Sequence, residues 1–201
     1  MQPRSSAQEI TTAGDLPTYS FKPSLIGSLH SYRLADDALE WEIGRRSGRV
    51  PYRAISRVRL SFRPVTMASR RFLAEIWSPN TPKLQIASTS WRSIVEIGRQ
   101  DAEYTAFVEA LHQRLRASGG EAVLKTGSAP WLYWVGVAAF AAIAVALAFL
   151  AVRALQAGSM GSAALVLAFL AFSLWQIGDF FRRNRPGMYS ADAIPPQVLP
   201  R

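Results

Sequence analysis

The chain has 201 residues, a formal net charge of +9 and an isoelectric point near 10.6, so it is strongly basic and long enough for one ordinary domain plus a smaller unit. It contains no cysteine, which excludes disulfides, thiolate metal sites and thiol catalysis, and the absence suits a reducing compartment. Residues 1–130 carry eighteen Lys/Arg and twelve Asp/Glu, whereas 131–152 carry none of either, so charge and apolar character are segregated along the chain.

Residues 1–18 are polar, rich in Ser and Thr, and lack the continuous apolar stretch of a signal peptide; they read as a flexible lead-in. From 19 to 118 the pattern has period two. The stretch "ALEWEIG" (38–44) puts Leu39, Trp41 and Ile43 on one face and Glu40 and Glu42 on the other. In "RVRLSFR" (57–63), Val58, Leu60 and Phe62 oppose Arg57, Arg59 and Arg63. "RFLAEIWS" (71–78) and "KLQIAS" (83–88) alternate more loosely. Each predicts a half-buried strand of an antiparallel sheet, with turns at "LADDA" (34–38), "GRRSG" (44–48) and "SPNTP" (78–82). The segment "DAEYTAFVEALHQRLRASGG" predicts a helix opening on Asp101 as N-cap and closing on Gly119. Tyr104, Phe107, Val108, Leu111 and Leu115 form its apolar stripe, with His112 beside it as a surface or cap residue. Residues 119–130 read as a linker.

Two apolar runs follow. "WLYWVGVAAFAAIAVALAFLAV" (131–152) would span roughly 33 Å as a helix, enough to cross a bilayer core. Trp131, Tyr133 and Trp134 open it, where aromatic rings prefer the interface. "MGSAALVLAFLAFSLWQIGDFF" (160–181) is the second run, and "RALQAGS" (153–159) joins the two as a tight hairpin. A chain this short cannot wrap two helices that are apolar on every side, so 131–181 predicts a transmembrane hairpin. Ala138, Ala142 and Ala146 recur every fourth position, as do Ala164 and Ala168, a spacing that allows close helix approach. Asp179 falls three and four residues before Arg182 and Arg183, which predicts ion pairs in the headgroup layer in place of a transport ligand. Arginines after the second run and basic residues before the first place both chain ends in the cytoplasm. The tail 182–201 contains Pro186, Pro195, Pro196 and Pro200 and reads as extended.

Short strands, the segment "RRSGRVPYRAISRVRL", the helix "YTAFVEALHQRL" and an appended two-helix hairpin resemble a bacterial pleckstrin-homology-like domain protein of the inner membrane. The tail "RRNRPGMYSADAIPPQVLP" is similar to that of small alphaproteobacterial membrane proteins. The resemblance implies an α+β fold in which a bent, seven-stranded antiparallel sheet is capped by a C-terminal helix. It implies no particular ligand.

Between Gly44 and Phe72 the chain carries nine arginines and no acidic residue. Arg45, Arg46, Arg49, Arg57, Arg59, Arg63, Arg70 and Arg71 form the candidate basic face, for which anionic lipid headgroups or an acidic partner are the expected ligands, against the alternative of a solvated face with no dedicated ligand. Trp131, Trp134, Asp179, Arg182 and Arg183 are the candidate membrane-interface residues. No nucleic-acid motif, nucleophile elbow, phosphate loop or metal-ligand spacing occurs, and His30 and His112 are far apart. These features predict a non-enzymatic membrane scaffold without cofactor or metal. The competing expectations are an accessory subunit of a larger membrane complex, a homo-oligomer, or a small oligomeric transporter lined by Ser162, Ser173, Gln176 and Asp179.

Overall fold

Alternating apolar side chains build the first sheet. A computed structural model describes residues 16–63, 70–92 and 97–200, so most of the predicted lead-in lies outside the described residues. Strands β1 (Thr18–Phe21), β2 (His30–Leu34), β3 (Ala38–Ile43) and β4 (Arg46–Pro51) form an antiparallel meander in chain order. They turn Tyr19, Phe21, Tyr32, Leu34, Leu39, Trp41 and Val50 inward. A single 3-10 turn, Tyr52–Ala54, leads to a second meander of β5 (Arg57–Phe62), β6 (Phe72–Ser78) and β7 (Thr81–Ala87). Its inner face holds Val58, Leu60, Phe72, Ala74, Ile76, Leu84 and Ile86. After the short pair β8 (Thr89–Trp91) and β9 (Ile97–Arg99), helix α1 (Asp101–Ala117) lays Tyr104, Phe107, Val108, Leu111 and Leu115 into the core. The ring of Tyr19 meets Phe107 at 5.6 Å and Tyr104 at 6.2 Å, tying the helix to the first sheet. Each such side chain removed from water contributes roughly 1.5–3 kcal/mol.

The structure departs from the sequence expectations in several places. Gln100, not Asp101, occupies the cap position of α1, because the Gln100 carbonyl already accepts the Tyr104 N–H; Asp101 pairs with Arg99 instead. His112 is buried, not a surface residue. The expected linker contains strand β10 (Val123–Thr126), which pairs in parallel with β5 and makes the second sheet mixed. Leu124 and Thr126 face inward there, a period-two signal only four residues long and framed by Gly and Ser. The tail supplies β11 (Gly187–Met188) on the far side of β10, so the described residues contain eleven strands, not seven. The class is α+β.

Helices α2 (Pro130–Gln156) and α3 (Met160–Arg183) are long and apolar enough to cross a membrane. Both outrun the predicted limits: Arg153, Ala154, Leu155 and Gln156 extend the first helix until Gly158, at φ +76°, ends it, and Arg182 and Arg183 extend the second. Only Ala151 and Ala163 are buried in them, while Val145, Phe149 and Leu165 are more than half exposed. The expected small-residue stripes do not meet: Ala138, Ala142, Ala146, Ala164 and Ala168 all point outward. Close approach is made instead at Gly136, over which the Phe181 ring sits between Tyr133 and Phe140.

Candidate basic interface

The strand registers decide which charges share a face. On the outer side of the second sheet, Arg59 stands opposite Glu75 and Arg57 opposite Trp77, while Gln85 pairs with Glu75 from β7 and Lys125 with Arg59 from β10. Glu75 is the hub. It accepts hydrogen bonds from Lys83 Nζ at 2.9 Å and Gln85 Nε2 at 3.2 Å, with Arg59 at 3.8 Å and Arg63 at 3.9 Å from its other oxygen. Burial alone would raise its pKa, but the Lys83 hydrogen bond and charge, the Arg63 charge and the Gln85 amide outweigh that and hold it below the ordinary carboxylate range. Beside it, the Trp77 ring lies under Arg59 at 4.9 Å, Arg57 at 5.5 Å and Lys83 at 5.9 Å. Five cations (Arg57, Arg59, Arg63, Lys83, Lys125) against one carboxylate leave the cluster around Glu75 and Trp77 at +4 among the described residues. Such a surface attracts anions and offers guanidinium forks to carboxylate or phosphate.

The predicted arginines do not all gather here. Arg49 lies on β4, in the other sheet, where Asp37 and Glu40 neutralise it and Arg33 shares Glu40. Arg45 and Arg46 flank the β3–β4 turn, exposed and without an ion pair among the described residues. Arg70 is exposed just before β6, and Arg71 is half-buried, where burial and the neighbouring Arg63 charge depress its pKa. Sequence reading missed Glu75, Trp77, Lys83 and Lys125. The only available signal was the outward phase of β6, which alternates Leu73, Glu75 and Trp77.

At the other end of β5 the sheet is fastened to the hairpin. The Phe62 N–H donates to Asn184 Oδ1 at 3.1 Å, and Asn184 Nδ2 donates to the Phe62 carbonyl at 2.8 Å. Gly127, at φ +71°, leaves room for this approach, since a Cβ there would collide with the carbonyl oxygens of Asn184 and Arg185. Asp179 bonds Arg182 at 2.6 Å and Arg183 at 2.8 Å, as their spacing predicts, and Arg183 also covers the Phe62 ring at 5.4 Å. Trp131 and Trp134 are 70% and 66% exposed at the start of α2. Comparison with protein-family models, curated proteins and solved structures returns no match. Among the described residues no cluster of His, Asp and Glu is placed to hold a metal ion.

The tail runs back along the β-domain as a strap. Val198 is fully buried in its core, and Tyr189, Ala191, Ile194 and Leu199 pack against it. His112 Nδ1 lies 2.7 Å from the Val108 carbonyl, which can only accept, so Nδ1 carries the proton and Nε2 accepts from the Tyr189 hydroxyl at 2.7 Å. Burial holds His112 below its ordinary pKa against the opposing Val108 hydrogen bond, and burial raises that of Tyr189. Tyr189→Phe strands a buried histidine nitrogen, so thermal unfolding should show a loss of about 1–2 kcal/mol.

Proposed function

We propose that the protein is a non-enzymatic, membrane-anchored scaffold or accessory protein of a bacterial inner membrane. The α2–α3 hairpin spans the bilayer, both chain ends lie on the cytoplasmic side, and a pleckstrin-homology-like β-domain presents a cationic sheet face to anionic lipid headgroups or an acidic partner. One observation carries this reading: the Glu75-centred face keeps a +4 excess on a domain bonded through Asn184 to two long helices whose large apolar side chains are mostly exposed. An exposed apolar surface of that size marks a membrane or partner contact. The pleckstrin-homology-like reading draws support from the order of parts, a four-stranded meander, a three-stranded meander and then α1 packed on β1 and β2.

An accessory-subunit role draws support from a different feature. The β1–β2 loop leaves Ile26 98% exposed and Leu29 56% exposed, apolar side chains that nothing among the described residues covers.

The test follows from the connectivity. A fragment ending at residue 118 would strip β10 from the edge of β5 and remove the tail from the core. Ser128 N–H bonds the Asn184 carbonyl at 3.1 Å, so a short Gly-Ser connection in place of 130–183 preserves both. The full chain should pellet with membranes and the spliced chain should stay soluble and folded. The spliced chain should also co-sediment with vesicles containing phosphatidylglycerol on the order of tenfold better than with neutral ones, an advantage that high salt removes. Equal binding to both vesicles at low salt rejects lipid docking, and a full chain that stays in the supernatant rejects the anchor.

A further inference from the structure

A second cationic site lies where the hairpin meets the sheet. A cleft of about 650 Å³ opens between the start of α2, the end of α3 and the 3-10 turn of the tail, Pro196–Val198. Tyr133 and Trp134 form one wall, Arg182, Arg183 and Arg185 another, and Gln197 a third. Arg182 and Arg183 both pair with Asp179 and Arg185 stands beside them, so three guanidiniums against one carboxylate leave a local excess of +2 among the described residues. Arg185 has no ion pair among the described residues, and the Arg182 side chain is 76% exposed although it touches Asp179, so both keep free donors. Contacts within the protein hold the walls in place. Arg183 is fixed by Asp179 and the Phe62 ring, and buried Val198 holds the turn that carries Gln197.

The geometry points to a binding site for the anionic phosphodiester headgroup of a membrane phospholipid. Arg182 and Arg185 take the phosphate oxygens, Gln197 adds an amide hydrogen bond, and the Tyr133 and Trp134 rings lie against the glycerol and the first acyl carbons. The volume lies within the roughly 300–1,000 Å³ typical of small-ligand sites, and planar guanidinium forks match phosphate geometry. A free phosphate ester would offer the same oxygens, but it would leave the aromatic wall without a partner. The inference rests on the bilayer-spanning reading of α2 and α3, because that reading sets the cleft at headgroup depth, where amphipathic rings settle.

Native mass spectrometry of the full chain released from neutral detergent tests the site, with phosphatidylglycerol, phosphatidylcholine or glycerol 3-phosphate added. Phosphatidylglycerol adducts should exceed phosphatidylcholine adducts and fall roughly tenfold in R182Q/R185Q. They should persist in R45Q/R46Q, which removes the same charge at the β3–β4 turn, and recover only in part in R182K/R185K, which keeps the charge at the cleft but not the planar forks. Glycerol 3-phosphate should not displace them. Equal uptake of the two lipids, indifference to R182Q/R185Q, or full displacement by glycerol 3-phosphate would each overturn the assignment. Membrane pelleting of the same protein separates the two readings: a chain that pellets yet is indifferent to R182Q/R185Q loses only this site, whereas a soluble chain loses the anchor as well.

Discussion

Asn184→Ala is expected to lower the unfolding free energy by about 3 kcal/mol and to loosen the hairpin from the sheet. Asn184 is 1% exposed, and its side chain serves the end of β5 as a neighbouring strand would, accepting from the Phe62 N–H and donating to the Phe62 carbonyl. Alanine leaves both main-chain groups buried and unpaired, and each such group costs about 1–3 kcal/mol. The bond from Ser128 N–H to the Asn184 carbonyl survives the change, so the hairpin stays attached by its main chain while losing its orientation. Asn184→Asp should do no better at neutral pH, because it keeps the acceptor but buries a charge and loses the donor to Phe62. Thermal unfolding in detergent measures the cost, and limited proteolysis near Ser128 reports the loosening. An alanine variant within about 0.5 kcal/mol of the parent, cut no faster, would show that the contact contributes little.

Local alternation made some elements readable from the sequence alone. β3 and β5 alternate strictly over Leu39, Trp41 and Ile43 and over Val58, Leu60 and Phe62, and the α1 stripe holds a clear helical period. β10 was not readable, because four residues among Gly and Ser carry too little periodicity to compete with a linker reading. Nor was Asn184, whose partner Phe62 lies 122 positions upstream; an Asn that follows a helix looks the same whether it caps that helix or clamps a strand. The strap failed to register for a related reason. Its Pro residues signal extended chain, but the fate of Tyr189 and Val198 depends on a groove formed by distant elements. The candidate site was half visible: the arginines stood out, but the sequence could not reveal that Glu75 lies directly across from Arg59, since that pairing is a fact of register. Arg49 failed the opposite way, because β-pairing brought Asp37 and Glu40 to a residue that looked uncompensated along the chain.

Glu75→Gln is expected to change stability and binding in opposite directions. Glutamine preserves the shape and an acceptor for Lys83, but removes the charge around which Arg59, Arg63 and Lys83 are arranged. Breaking a fully buried ion pair costs about 3–5 kcal/mol, but here the Arg63 and Lys83 side chains are 52% and 43% exposed. Water therefore screens part of the repulsion, and a loss of about 2 kcal/mol at neutral pH is expected. The folded-state pKa of Glu75 is depressed, so its stabilisation is fully present above the unfolded value, about 4.3, and is lost as the pH falls through the lower folded value. Urea unfolding should therefore show the gap between parent and variant closing as the solution is acidified through that window. A gap of constant size down to strong acid would assign the effect to packing, not charge. The same substitution takes the sheet face from +4 to +5, which should strengthen binding to phosphatidylglycerol vesicles about threefold to fivefold. A variant that is less stable yet binds these vesicles no more tightly would mean that a different surface meets the lipid, and the Glu75 cluster would then be only a structural element of the sheet.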